Sequence, residues 1–344
     1  MSLKKQVPLI DQDDILYPPI RPRNTDKYFE TSDGQSIYYE LCGNPKGFPV
    51  VYVHGGPGAG CSGLDRRYFD PDKWNILLYD QRGCGNSAPG ALDVELIIKN
   101  NDTDQLVADL VELLDYLHFD RVVLFGGSWG STLALVFAIL HSERVAGLIL
   151  RGIFLGEERE IQDMYVNGNV ARYFPEVWNR YISLVPQEFR HDPPSYYLKM
   201  MKDGDDQERA KYAYEFCLYE SSLIYIDQPS TKQLERIIKK DSNYFFCSVL
   251  EAWYINMSSR CFIPEGFILN AIHAIKHIPT TIIQGRHDFI CGVESAFRLK
   301  EVLGLRKADF HVTGGSHSSR DIHNMIALVK ETDRMYGRVI KGLR

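Results

Sequence analysis

The stretch Arg121-Val122-Val123-Leu124-Phe125-Gly126-Gly127-Ser128-Trp129-Gly130-Ser131-Thr132-Leu133-Ala134-Leu135 decides how this chain is read. An apolar run enters it, a second apolar run with helix-forming residues leaves it, and Gly-x-Ser-x-Gly marks the join. A strand turning sharply into a helix holds its central residue in a strained conformation. The flanking glycines let the two backbones pass closely. Ser128 then stands at the strand tip, beside a helix N-terminus that favours developing negative charge. An ordinary glycine-rich turn could carry the same residues, so the rest of the chain has to choose.

Upstream, residues 49–53 form a continuous apolar run ending in His54-Gly55-Gly56-Pro57-Gly58. Residues 74–79 form another, ending in Asp80-Gln81-Arg82-Gly83-Cys84-Gly85. Continuous apolar runs suit strands covered on both faces, as in a parallel sheet. Earlier still, residues 27–31 and 36–41 flank Ser32-Asp33-Gly34-Gln35, a hairpin signal with Asp-Gly at its turn. Residues 1–26, with several prolines and little periodicity, read as an irregular arm. A helix is expected from Asp102, with Gln105 as its capping-box partner. Leu106, Val107, Leu110, Val111, Leu114 and Leu117 keep helical spacing.

Downstream, residues 145–150 read as a further strand. The alternation of strand and helix predicts an α/β architecture with right-handed crossovers. Residues 156–275 change character: they lack strong strand signals and hold helical segments over 207–225 and 229–241. Asp192-Pro193-Pro194 is expected to break this region into pieces. The α/β texture returns with a strand at 280–284, a helix near 293–302, a strand at 309–312 and a final helix from about Asp321.

The composition bounds what such a chain can be. At 344 residues it has room for one large α/β unit with an insertion, or for two domains. An apolar fraction of 44% and a charged fraction of 24% are those of a globular protein. The formal net charge of −6 argues against nucleic acid or an anionic membrane as a main partner. Cysteines 42, 61, 84, 217, 247, 261 and 291 are odd in number and lack CxxC spacing, which fits a reduced protein without a disulfide framework or zinc site. Without a secretory h-region or an 18-residue apolar run, the expectation is a cytoplasmic protein with no membrane span.

Three residues at strand ends could act together. Ser128 follows one strand, Asp288 a later one, and His317 lies in Gly314-Gly315-Ser316-His317-Ser318 after the last. Ser…Asp…His is the chain order of α/β-hydrolases. A serine hydroxyl needs a base to become a nucleophile, and histidine titrates near neutral pH. A carboxylate on the other imidazole nitrogen fixes the tautomer and stabilises the imidazolium. His54 and His287 are rival bases. His273 and His277, spaced i, i+4, could imitate a metal pair, but no third ligand stands nearby. An oxyanion would need two donors, and the backbone N–H groups of Trp129 and Gly56 are the candidates.

With these motifs assembled, the sequence resembles the prolyl aminopeptidase (proline iminopeptidase) family of α/β-hydrolase-fold serine peptidases. HGGPG at 54–58, DQRGCG at 80–85, GGSWGSTLAL at 126–135, LRGIF at 150–154, GRHD at 285–288 and TDRMYG at 332–337 carry the likeness. The resemblance implies an α/β-hydrolase core over 1–155 and 276–344, with a helical cap over 156–275. It implies release of an N-terminal residue, preferentially proline, from small peptides with a free amino terminus, without metal or cofactor. It also implies that Glu220 and Glu251 bind the substrate amine, with Arg151 near the same pocket and Phe154, Tyr254 and Cys291 lining the pocket for the first residue. Taken alone, those glutamates would be ordinary solvated helix residues and Arg151 an ion-pair partner. The chain departs from the family where Phe216 and Tyr219 replace tryptophans and Ile255 replaces phenylalanine, positions expected to shape that pocket. An esterase or amidase without amino-terminal selectivity, and a binding protein that kept only the fold, are the rival readings.

Overall fold

The computed structural model describes residues 12–342, apart from Gln228 and residues 257–262. Part of the expected N-terminal arm and Cys261 therefore lie outside the described residues. The described part of the arm is fastened to the body, with the Tyr17 hydroxyl donating to the Asp333 carboxylate at 2.8 Å.

Eight strands form one sheet: β1 (Tyr28–Glu30), β2 (Ser36–Gly43), β3 (Phe48–Val53), β4 (Trp74–Tyr79), β5 (Val122–Ser128), β6 (Val145–Ile153), β7 (Thr280–Gly285) and β8 (Phe310–Thr313). Their order is β1-β2-β4-β3-β5-β6-β7-β8. β1 and β2 pair antiparallel, β2 is antiparallel to β4, and every other neighbour is parallel. Helices α1 (Val94–Ile98), α2 (Thr103–Tyr116) and α3 (Trp129–Leu140) lie between β4 and β6 in sequence. Between β6 and β7 the described residues hold helices and no strand. These are α4 (Glu158–Tyr165), α5 (Asn169–Tyr173), α6 (Pro175–Ser183), α7 (Pro193–Asp203), α8 (Asp206–Ser221), α9 (Thr231–Ile238), α10 (Tyr244–Ile255) and α11 (Phe267–Ala271). The chain closes with α12 (Val293–Leu303) and α13 (Ile322–Gly342). Among the described residues no helix is long and apolar enough to cross a membrane.

The continuous apolar strands are explained by two cores. Alternate side chains of a strand point to opposite faces of the sheet. Val51, Val53, Leu77, Tyr79, Leu124, Leu148, Leu150 and Ile282 bury against α2, α3 and α12 and continue into the helical insertion. Their neighbours Val50, Ile76, Leu78, Val123, Phe125, Ile149 and Ile283 bury against α13 and the turn holding Tyr68 and Phe69. Since both faces are covered, no polar alternation is left for the strands to show.

Three local expectations change in detail. β5 and β6 run past their apolar cores because Gly126 and Gly127 keep pairing with Leu150 and Arg151. At the start of α2, Asp102 accepts from the Gln105 backbone N–H at 2.8 Å. The Gln105 side chain, however, donates to Asp109 at 3.3 Å instead of returning to the cap. A carboxylate one turn along is the stronger acceptor, so half of the capping box forms. Asp192-Pro193-Pro194 does not merely interrupt the insertion. Asp192 caps α7 and the two prolines open it, positions where a missing N–H costs nothing.

Asp-Gln-Arg after β4 ties the layers together. Arg82, 2% exposed, donates to Asp109 at 2.7 Å and to Asp33 at 2.9 Å. Removing one partner of a buried pair leaves a charge without compensation, at a cost of about 3–5 kcal/mol. Asp109→Ala should lower the urea midpoint accordingly, whereas Arg82→Met combined with Asp109→Leu should recover most of the loss. Equal losses in both variants would show that the pair contributes no more than packing.

Candidate active site

β5 ends on Ser128, which sits at φ 58° and ψ −131° and caps α3. A non-glycine residue there is strained, and such strain is kept only where the surroundings enforce it. The enforcing contacts are visible. A Cβ on Gly126 would lie 2.2 Å from the Gly130 carbonyl oxygen, and one on Gly130 would lie 2.1 Å from the Val53 carbonyl oxygen. Only glycine fits either place. The Ser131 hydroxyl donates to the Ser128 carbonyl at 2.7 Å and closes the turn.

The loops after β7 and β8 bring the other two residues to the serine. His317 Nε2 lies 3.1 Å from Ser128 Oγ, and Asp288 places both carboxylate oxygens 3.0 Å from His317 Nδ1. The backbone N–H groups of Ile290 and Cys291 donate to Asp288 Oδ1 at 3.1 and 2.8 Å. Gln284 Nε2 donates to its Oδ2 at 3.3 Å. Asp288 and His317 are both buried. This is a chain along which a proton can pass from serine to imidazole while a fixed carboxylate stabilises the cation formed. The loop after β3 lies alongside: a Cβ on Gly55 would stand 3.3 Å from Ser128 Cβ, and Gly56 lines the same cavity.

A cavity of about 710 Å³ opens above Ser128, between the strand ends and the helical insertion. Glu220 from α8 and Glu251 from α10 both line it. The two carboxyls lie close enough to act on each other's charge, and the Tyr165 hydroxyl donates to Glu220. Burial pushes the Glu220 carboxyl above the usual carboxylate range. Burial and the adjacent Glu220 charge push Glu251 well above it. Two carboxyls sharing a site cannot both ionise cheaply, so their proximity favours a protonated form of the pair.

The alpha/beta hydrolase fold model matches residues 49–319. The proline iminopeptidase of Xylella fastidiosa (strain 9a5c) is 38% identical over 329 residues, covering 92% of this chain and 98% of that protein. The proline iminopeptidase of Neisseria gonorrhoeae is 35% identical, covering 91% and 96%. The chain belongs to the proline iminopeptidase family. It is a hydrolase with an α/β-hydrolase fold. Among solved structures, an esterase from Rhodococcus sp. ECU1013 matches at TM-score 0.55 and 16% identity, covering 93% of this chain and 99% of that one. That likeness concerns the fold.

Within this family member the rival bases separate cleanly. His54 is buried, and its Nε2 accepts the Gln81 backbone N–H at 2.9 Å, so it serves the loop and not the serine. Burial lowers its pKa, which keeps it neutral. His287 is exposed beside the Gly314 carbonyl. His273 and His277 are exposed, and no group of three potential ligands forms a metal site among the described residues.

Phe154 and Cys291 line the cavity, the Cys291 thiol 3.9 Å from Ser128 Oγ. Burial raises that thiol's pKa and keeps it protonated. Tyr254 does not line the cavity. It is buried between the Trp129 ring, at 4.9 Å, and Asn101, to which its hydroxyl donates at 2.8 Å. Arg151 lines the site but spends its strongest contact on the histidine loop, donating to the His317 carbonyl at 2.6 Å. Phe216 and Tyr219 also sit elsewhere than expected. Phe216 stacks behind Tyr165 at 5.8 Å, and Tyr219 stacks on Tyr181 at 4.1 Å, so both belong to the core of the insertion. Of the three departures, Ile255 alone lines the cavity.

Several contributors had no readable signal. Tyr165 is one of many aromatics in the insertion until α4 and α8 pack. Asn243, before α10, donates to the Gly58 carbonyl at 2.7 Å and accepts the Gly85 N–H at 2.7 Å, fastening the insertion to the loop after β3. Gln284 reads as an ordinary strand end, yet besides Asp288 it holds the Ile153 N–H at 2.9 Å.

Asp288→Asn tests the relay. The amide oxygen would still accept from Ile290 and Cys291, while the amide nitrogen would face His317 Nδ1 and impose the wrong tautomer. Phosphonylation of Ser128 by a fluorophosphonate, followed by mass spectrometry, should slow by about 10³–10⁴-fold. A loss under tenfold would separate Asp288 from the relay.

Proposed function

We propose that the chain is a serine aminopeptidase that releases N-terminal proline from small peptides through an acyl-enzyme. Ser128 attacks the first carbonyl, and His317 takes its proton and then delivers it to the leaving nitrogen. Asp288 orients the imidazole. The N–H groups of Trp129 and Gly56 receive the oxyanion, a role suited to the first residue of a helix and a glycine loop beside the nucleophile. Residues 156–275 act as the cap. The reaction as written uses only these side chains and water.

The observation that carries the reading is the Glu220–Glu251 pair across the cavity from Ser128. An N-terminal proline is a secondary ammonium with two N–H bonds. Two carboxyls can accept both as charge-assisted hydrogen bonds of roughly 1.5–3 kcal/mol each. The cation also replaces the proton that the pair otherwise has to hold. A substrate extended on its amino side lacks this charge and collides with the cap, which gives cleavage from the amino end only. Phe154, Cys291 and Ile255 supply an apolar wall for the ring. The names of the relatives agree with this substrate.

Proline, alanine and leucine β-naphthylamides, N-acetyl-proline β-naphthylamide and a p-nitrophenyl ester separate the rivals. Proline should be released fastest and the acetylated substrate left intact. Comparable rates on acetylated and free substrates would favour an esterase or amidase, and no turnover at all would favour a binding protein.

Glu251→Gln should lower kcat/KM on proline β-naphthylamide by at least about 10²-fold, the loss expected when a buried charge contact is removed. Its stability should move the other way. A carboxyl whose folded pKa is raised contributes stability below its unfolded value of about 4.3 and loses it as pH climbs toward the folded value. The wild type carries that penalty at pH 8 and the glutamine variant does not. The variant's Tm should therefore exceed the wild type's at pH 8, with the gap closing by pH 4.5. A constant gap would mean that the pair does not hold a proton.

A further inference from the structure

The cavity has a second end. Besides Glu220 and Glu251, Asp65, Asp80, Glu160 and Asp241 line it, against only two arginines among the described residues, Arg151 and Arg320. Arg151 donates to the His317 carbonyl at 2.6 Å and stands 3.5 Å from His317 Nε2, beside the reacting atoms and not at the far end of a leaving group. Arg320 is exposed at the mouth, and its side chain makes one hydrogen bond, from Nη2 to Ser62 Oγ at 3.3 Å. No carboxylate pairs with it among the described residues. Three of the cavity's acids are engaged elsewhere. Asp65 accepts the Ser62 N–H and hydroxyl at 2.7 and 2.8 Å. Asp80 accepts the Cys61 and Asn86 N–H groups at 2.7 and 2.8 Å, and Asp241 accepts the Asn243 N–H at 2.8 Å.

Chemistry fixes which part of a substrate meets this end. His317 must reach the leaving nitrogen to protonate it, so the leaving group lies on the histidine side of Ser128. Ser318, Ser319 and Arg320 continue the cavity wall directly from His317. Three residues of chain span at most about 10 Å, the length of one or two peptide units beyond the scissile nitrogen. In a cavity lined by six carboxyls, Arg320 is the guanidinium on the leaving-group side that gives a carboxylate a favourable position.

Building on the aminopeptidase reading, we propose that the Arg320 guanidinium is the subsite for the C-terminal carboxylate of a di- or tripeptide substrate. It makes the enzyme select short peptides with a free carboxyl end. Arg320 touches neither the reacting atoms nor the first residue, so it sets which leaving groups are favoured.

The test compares Pro-Ala with Pro-Ala-NH₂, and Pro-Ala-Ala with Pro-Ala-Ala-NH₂, by kcat/KM at low salt. The wild type should favour at least one acid over its amide by about fivefold, the scale of a partly exposed ion pair. The preference should shrink in 0.5 M salt. Arg320→Gln should bring the acid-to-amide ratio to one or below, and Arg320→Lys should restore part of it. An acid preference that survives Arg320→Gln, or amides cleaved as fast as acids by the wild type, would overturn the subsite while leaving the aminopeptidase reading intact. Absence of proline release from all four peptides would overturn both.

Discussion

The site depends on one crossing, where the end of β5 passes under the start of α3. Gly126 and Gly130 bring backbone to backbone at distances no Cβ could share, and Val53 of β3 closes on the same point. That contact forces Ser128 to positive φ and lifts its hydroxyl away from the sheet. It also brings the loop after β3 against Ser128, because Gly130 touches the strand that leads into it. The strain is local, and the two cores on either face of the sheet hold it in place.

Around this point the sheet acts as a ruler. Parallel strands place their C-terminal ends along one edge, so loops far apart in sequence converge. Asp288 leaves β7 and His317 leaves β8, and Gln284 within β7 links the aspartate to the end of β6. Arg151 on β6 holds the histidine loop from below. The Ser128–His317–Asp288 contacts are thus built from strand ends of one sheet, braced by hydrogen bonds between them. The helical insertion supplies the opposite wall and with it a different chemistry, a pair of carboxyls lining the cavity. Asn243 and the α10 aromatics Trp253 and Tyr254 fasten that wall to the core, so the distance between the two chemistries is fixed by direct bonds.

Legibility in the sequence followed the range of the interactions. The strand ends carrying Ser128, Asp288 and His317 could be read because short-range rules govern them: apolar runs, glycines at a forced turn, polar residues at strand tips. Glu220 and Glu251 were reachable only through family likeness, since nothing in their local pattern distinguishes them from solvated helix residues. Tyr254, Phe216 and Tyr219 were misplaced for a related reason. A residue's distance along the chain from a site residue does not say which side of a helix faces the cavity, and all three turn into packing instead.

The sequence by itself determined the α/β alternation, the helical insertion and the strained serine, because backbone sterics and apolar periodicity act within a few residues. Only the tertiary structure decided which histidine meets that serine, that two distant glutamates line one cavity, and that an arginine at its mouth has no carboxylate partner among the described residues. Those are statements about charges brought together or left apart, and charge energetics depends on distance and burial that the order of residues does not contain.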